Sequence, residues 1–147
     1  LPAATGCSSG RRSRRGPMKP AEACPCGSAR AYSACCGRLH SGAENAVNAE
    51  ALMRSRYCAY ALALEPYLLS TWHTTTRPAE LNLAQDGGTK WLGLNIKRHQ
   101  PVDGQHATVE FVARYRIAGR GYRLYEISRF VCEDGRWFYV DGDILQD

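Results

Sequence analysis

Apolar positions along this chain change their period once, near residue 90, and that change divides the sequence. Between residues 48 and 65, Met53, Tyr57, Tyr60, Ala61 and Leu64 recur at helical spacing, with Asn48 placed as an N-cap and Glu50 in the first turn. Pro66 suits the opening position of a second, shorter helix through Tyr67, Leu68, Leu69 and Trp72, and Thr76-Arg77-Pro78 is expected to open a third around Leu81 and Leu83. Further on the period falls to two. Leu92, Leu94 and Ile96 alternate, as do Val109, Phe111, Ala113 and Tyr115, then Tyr125, Ile127, Arg129 and Val131, and finally Trp137, Tyr139 and Asp141. Turn signals lie between these runs at Asp103-Gly104, Gly119-Arg120-Gly121 and Asp134-Gly135. Helices first and a meander afterwards predict an α+β domain, about three helices packed on one face of a four-stranded antiparallel sheet.

Before residue 48 there is no such period, and cysteine takes over. Cys24, Cys26, Cys35 and Cys36 fall within thirteen residues, two close pairs separated by an eight-residue excursion. Zinc takes four ligands in a tetrahedron, with sulfur at about 2.3 Å, and this spacing lets one short turn wrap a single ion. Disulfides fit poorly, because Cys24 and Cys26 are too close to bridge and the adjacent Cys35 and Cys36 close only a strained ring. Gly27 permits a positive φ for the tight turn after Cys26, Pro25 stiffens the first pair, and Arg30 is placed to offset thiolate charge. The expectation is one structural zinc ion per chain on those four cysteines. Cys58 and Cys132, without a local electropositive or histidine signature, read as buried thiols apart from it.

The residues around the cysteines sharpen this reading. Cys24-Pro25-Cys26-Gly27-Ser28, followed by Tyr32 and then Cys35-Cys36-Gly37, resembles the SEC-C motif, the zinc-binding segment first recognised at the tail of the bacterial translocase motor SecA. Beyond it, Leu52-Met53-Arg54-Ser55-Arg56-Tyr57, Thr71-Trp72-His73, Trp91-Leu92-Gly93-Leu94, Phe111-Val112-Ala113-Arg114-Tyr115, Ser128-Arg129-Phe130 and Gly135 to Gly142 are similar in order and spacing to the bacterial YchJ family. That resemblance implies a SEC-C segment joined to a nuclear transport factor 2-like (cystatin-like) domain, a cone of curved sheet wrapped around helices, and it implies little biochemistry. The sequence departs from the family pattern in having Ala29, Ala31, Ser33 and Ala34 where SEC-C segments are often rich in glycine and lysine, and in lacking a second SEC-C motif before Asp147. The expected division is a basic, disordered extension over 1–17, the SEC-C segment over 18–47 and the nuclear transport factor 2-like domain over 48–147.

Charge narrows the list of partners. The formal net charge is +5, and Arg11, Arg12, Arg14, Arg15 and Lys19 account for all of it, leaving the rest of the chain balanced. A basic arm on a neutral body argues against a basic binding face, so nucleic acid is a weak expectation. The stretch from Leu1 to Pro17 is rich in Gly, Ser, Arg and Pro, and Met18 reads as an alternative start. No run of eighteen apolar residues occurs, and seven cysteines, an odd number, point to a reducing, cytoplasmic setting.

Candidate chemistry in the folded part is sparse. No phosphate-cradling glycine motif, nucleophile elbow or metalloprotease helix is present, so no catalytic residue is assigned and an enzyme is the less favoured, open reading. If the cone encloses a pocket, its expected polar lining is His73, with Trp72, Tyr57 and Arg54 close by. The competing expectation for His73 is a cation at a helix C-terminus. Arg54 and Arg56 lie about 200° apart around their helix, so they face different surroundings. One reaches into the cone or holds the zinc segment, with a salt bridge to Glu110, Glu126 or Asp141 as the plainer outcome. Three function classes follow: a zinc-stabilised module docking on a protein partner, which is favoured; a small-molecule pocket protein or lyase-like or isomerase-like enzyme; and a nucleic-acid binder using the zinc knuckle and arginine arm.

Overall fold

The computed structural model describes residues 19, 21–83 and 88–145. The disorder expected for 1–17, together with Cys7 and Met18, lies outside the described residues. Order along the chain is a short 3-10 turn at Tyr32–Ala34, then helices α1 (Cys36–His40), α2 (Ala49–Leu62) and α3 (Glu65–Ser70). Strands β1 (Thr89–Pro101), β2 (His106–Ile117), β3 (Arg120–Glu133) and β4 (Arg136–Ile144) follow. The strands pair in sequence order as one antiparallel meander.

The caps explain where the long helix begins and ends. Asn48 keeps an extended backbone and its side-chain oxygen accepts the Ala51 N–H at 2.8 Å, while Ala63 closes the helix in the left-handed region at φ 60°. α3 stops at Ser70, short of Trp72. Thr71 to His73 instead run beside β4 in parallel, the Tyr139 N–H donating to the Thr71 carbonyl at 2.9 Å and the His73 N–H to the Tyr139 carbonyl at 2.8 Å. The helix expected from Thr76 does not form, since residues 74–82 are turns and irregular chain. The Glu65 carboxylate accepts the Leu81 and Leu83 N–H groups at 3.0 Å each, tying this stretch back to the start of α3. The third helix of the fold is α1, supplied by the cysteine segment.

Two hairpins are closed by two-residue turns with both residues left-handed, Ala118-Gly119 at φ 53° and 80° and Asp134-Gly135 at φ 53° and 78°. Such turns match the right-handed twist of the strands they join. Arg120 and Gly121, expected in the first turn, instead open β3.

The side of each strand that faces the helices decides the interior. Val109, Phe111 and Ala113 of β2 are buried as its alternation expects, with Ala107 added at one end and Tyr115 only half-buried at the other. In β1 a bulge between Trp91 and Gly93 breaks the alternation of Leu92 with Leu94, so Trp91, Leu94 and Ile96 pack on the core while Leu92 is exposed. In β3 the inward set is Leu124, Glu126, Ser128 and Phe130, not the one containing Tyr125 and Ile127. Two polar residues on a concave face opposite α2 leave the interior incompletely filled with hydrocarbon.

Helix α2 is buried on more than its apolar stripe. Ala49, Leu52, Met53 and Tyr57 join the sheet in the main core, while Cys58, fully buried, packs into a separate cluster with the four N-terminal cysteines. Small residues at Ser55, Cys58 and Ala59 allow that second face to be approached closely.

Candidate metal centre and cavity

Four thiols converge where the N-terminal segment meets the back of α2. Cys24, Cys26, Cys35 and Cys36 are all buried, and their sulfurs lie within 4.8 Å of one another. A tetrahedron with sulfur at about 2.3 Å from its centre has edges of about 3.8 Å. Cys26 and Cys35 are 3.6 Å apart and Cys35 and Cys36 4.0 Å, so the spacing matches thiolates around one ion, and no described cysteine forms a disulfide. The backbone is bent to suit. Gly27 has φ 84°, the Gly27 N–H donates to the Cys24 carbonyl at 3.2 Å, and the Cys24 N–H donates to the Arg30 carbonyl at 2.8 Å.

The thiols are shifted in opposite directions: burial raises Cys35 against the pull of Ser28, and hydrogen bonding with Cys24, Cys26 and Cys58 raises Cys36. Ser28 Oγ lies 3.1 Å from Cys35 Sγ and the Arg30 guanidinium 3.8 Å from it, the charge compensation expected of that arginine. Although Cys26 opposes it, hydrogen bonding from Cys36 and Cys58 brings the Cys24 thiol down to about 6. Hydrogen bonding from Cys24, Cys36 and Cys58 pulls Cys26 lower still. Soft sulfur donors, four in number and closed off from water, suit a structural zinc-type ion, with no position left for a substrate at the metal.

A fifth thiol belongs to this cluster and was not expected there. Cys58 Sγ, on α2, lies 3.4 Å from Cys24 Sγ. The sequence placed it on a helix far from the other cysteines, and its one available signal was its position on the face carrying Ser55 and Ala59. Cys132 is half-buried on β3, outside the cluster.

Two further contacts fasten the segment to the cone, from Arg54 and from His40, each steadied by a second hydrogen bond. Arg54 Nη1 donates to the Cys26 carbonyl at 2.9 Å while its Nε donates to Glu50 at 3.1 Å. Tyr32 Oη and His40 Nδ1 are 2.6 Å apart, and His40 Nε2 meets the Ser55 carbonyl at 2.8 Å. A carbonyl only accepts, so Nε2 carries the proton and Nδ1 accepts from the tyrosine. Burial lowers the His40 pKa, holding the ring neutral.

Arg54 and Arg56 divide their tasks as their angular separation requires. Arg56, 3 % exposed, points into the cone, where Nη1 donates to the Leu68 carbonyl at 2.8 Å and to Thr71 Oγ1 at 2.7 Å. Its guanidinium lies over the rings of Trp72 and Tyr139, 5.0 and 4.6 Å from their centroids. Neither arginine pairs with Glu110, Glu126 or Asp141. Arg129 takes Asp141 at 2.6 Å, and Tyr125 donates to Glu110.

Arg56 forms part of the wall of a cavity of about 270 Å³ between α2 and the sheet. Aromatic rings of Tyr57, Tyr60, Trp91, Phe111 and Tyr139 supply most of the remaining wall, and Glu126 and Ser128 of β3 supply polar groups. Ser128 Oγ donates to Glu126 Oε2 at 2.7 Å and the Tyr139 hydroxyl donates to the same oxygen at 3.4 Å. Of the expected pocket residues, Tyr57 lines this cavity, whereas Arg54 holds the cysteine segment and Trp72 backs Arg56. His73 is elsewhere. Its ring bonds Glu133 at 2.9 Å and Thr75 at 2.7 Å, so it lies past the end of α3 with a carboxylate partner that the sequence did not suggest. Of the polar wall, the sequence led only to the expectation that one of Arg54 and Arg56 reaches into the cone; Glu126 and Ser128 were missed as cavity residues.

Comparison with known proteins fits both halves of this architecture. The family model for the SEC-C motif matches residues 21–38, and that for the YchJ middle NTF2-like domain matches residues 48–142, well over half of the chain. The chain belongs to the YchJ-like family. A UPF0225 protein of Bordetella parapertussis is 59 % identical over 133 residues, covering 89 % of this chain and 98 % of its own. One from Cupriavidus metallidurans is 54 % identical over 129 residues, covering 84 % and 89 %. Among solved structures, a SEC-C motif containing protein from Rhodopseudomonas palustris has 35 % identity and a TM-score of 0.77, with 85 % of this chain and 100 % of that one covered. Another, from Psychrobacter arcticus, has 26 % identity and a TM-score of 0.72, with 87 % and 85 % covered. The family and α+β fold expected from the sequence are thus shown, with the four cysteines gathered as a candidate metal site. No helix among the described residues is long and apolar enough to cross a membrane.

Proposed function

We propose that this protein is a small-molecule binding protein in which a structural zinc ion on Cys24, Cys26, Cys35 and Cys36 braces the cone, and the cone cavity receives the ligand. The observation that carries the reading is Arg56, a cation buried to 3 % exposure in the wall of a cavity of about 270 Å³. A protein interior that served packing alone would fill this space with hydrocarbon, because burying a guanidinium with no carboxylate in direct contact is costly. Ligand sites combine apolar walls with a few fixed polar groups, which is the composition found here. The closed thiolate site favours binding over metal-centred reaction, since all four positions are taken by protein.

Docking of the SEC-C segment on a protein partner is the competing reading, and no described surface group is as unusual as the buried arginine. Thermal-shift screening of the zinc-loaded full chain with a panel of small aromatic compounds tests the proposal. Stabilisation by panel members should vanish in Ala113→Leu, which fills the cavity from β2. Equal stabilisation of the variant, or no stabilisation of the native chain by any compound, would overturn it.

A further inference from the structure

The cavity contains one fixed donor group and one fixed acceptor group of opposite charge that do not satisfy each other. Arg56 directs both of its protein hydrogen bonds through Nη1, to Leu68 and Thr71, and among the described residues its other N–H groups meet no acceptor. Glu126 accepts from Ser128 and Tyr139 through Oε2, and among the described residues Oε1 receives no donor. No ion pair within 4.0 Å joins Arg56 to any carboxylate of the described residues. Both groups are held in place. Arg56 rests against the rings of Trp72 and Tyr139, which themselves meet edge to face, and Glu126 fits where β4 has no side chain, because a Cβ on Gly142 would meet Glu126 Oε2.

These features specify a ligand by its charge and its hydrogen-bonding edge. The site is electroneutral, so an anion drawn to Arg56 meets Glu126 in the same cavity, and a cation drawn to Glu126 meets Arg56. Unspent capacity on both sides requires a head group that accepts and donates together. The aromatic walls require a flat apolar body, and a volume of about 270 Å³, at the small end of ligand sites, limits it to one ring or two fused rings. We infer that the cone cavity binds an uncharged ring-bearing amide, with its carbonyl oxygen on the free N–H groups of Arg56 and its N–H on Glu126 Oε1. This inference rests on the reading of the cavity as the ligand site.

Calorimetric titration of the zinc-loaded full chain with benzamide, benzoate, benzamidinium and ethylbenzene separates the alternatives, since the four share a ring and differ in head group. Benzamide should bind at least tenfold more tightly than each of the others. Glu126→Gln keeps an oxygen for Ser128 and Tyr139 to donate to but leaves Arg56 as a lone cation, so its preference should move to benzoate by at least tenfold relative to benzamide. Tighter binding of benzoate or benzamidinium to the native chain, an unchanged order in Glu126→Gln, or benzamide binding that survives Ala113→Leu would overturn the inference. Binding of ethylbenzene alone, lost in Ala113→Leu, would overturn the amide while leaving the cavity as a ligand site. No binding by any of the four, with none in the wider aromatic panel, would remove both.

Discussion

The cysteine segment and the cone cavity lie on opposite faces of helix α2 and solve opposite problems. In the segment, every unusual group has a partner: four thiols face one another, Arg30 and Ser28 face Cys35, and Arg54 takes the Cys26 carbonyl. In the cavity, Arg56 and Glu126 keep unspent hydrogen-bonding groups in a space that side chains do not fill. A saturated polar cluster stabilises structure, whereas an unsaturated one costs stability. The same helix therefore meets the cysteine cluster on its Cys58 side and the cavity on its Arg56 side.

Removing the metal is the strongest way to break this comparison. Structural zinc contributes about 10–16 kcal/mol of apparent binding energy in small zinc-folded peptides, so chelation should have the largest effect of any perturbation. Residues 21–45 should lose amide protection from hydrogen exchange while β2 and β3 keep theirs, because the two buried clusters are separate. Unchanged protection in 21–45 would show that the segment is held by packing alone.

Arg56→Met comes next. The substitution removes two hydrogen bonds and two ring contacts and leaves the Leu68 carbonyl with only the longer contact from Thr71 Oγ1 at 3.3 Å, so a loss of about 2–4 kcal/mol is expected in urea unfolding. Gly142→Ala sharpens the cavity side with a smaller effect. Its Cβ would meet Glu126 Oε2 at 2.2 Å and the Ile127 carbonyl at 2.9 Å, and displacing strand backbone should cost about 1–3 kcal/mol and weaken binding of benzamide. A neutral result by either measure would mean that Glu126 is not fixed.

The smallest effect concerns His40, on the brace side. Its pKa is lowered by burial from the ordinary value of 6.5, so the folded state binds the proton less readily than the unfolded chain. The stability held by the neutral ring is complete above about pH 6.5 and is lost as pH falls from there towards the folded-state pKa. His40→Gln should flatten the fall of the thermal midpoint below pH 6.5 in metal-loaded protein, and a parallel fall in both proteins would assign the acid sensitivity to other groups.

Legibility in the sequence followed the same divide. The cysteine cluster was readable because its chemistry is local: two close cysteine pairs around a glycine turn specify a cluster without reference to the remainder of the chain. The meander was readable from alternation in β2 and from the Asp134-Gly135 turn. The cavity was not, because it depends on which side of β3 faces inward, and Glu126 and Ser128 alternate on the polar set that a hydrophobic pattern assigns to solvent. The bulge at Trp91 and Gly93 hid the inward face of β1 in the same way. Cys58 escaped because only tertiary packing brings α2 to the cluster, and the helix expected from Thr76 failed because Glu65 takes the Leu81 and Leu83 amides.

The division of labour between brace and cavity is tested most directly by mapping backbone amide shifts as benzamide is titrated into the zinc-loaded, isotope-labelled chain. Saturable shifts are expected around Arg56, Ala113, Glu126 and Ser128, with residues 24–36 unmoved. Shifts confined to the cysteine segment, with β2 and β3 silent, would contradict it.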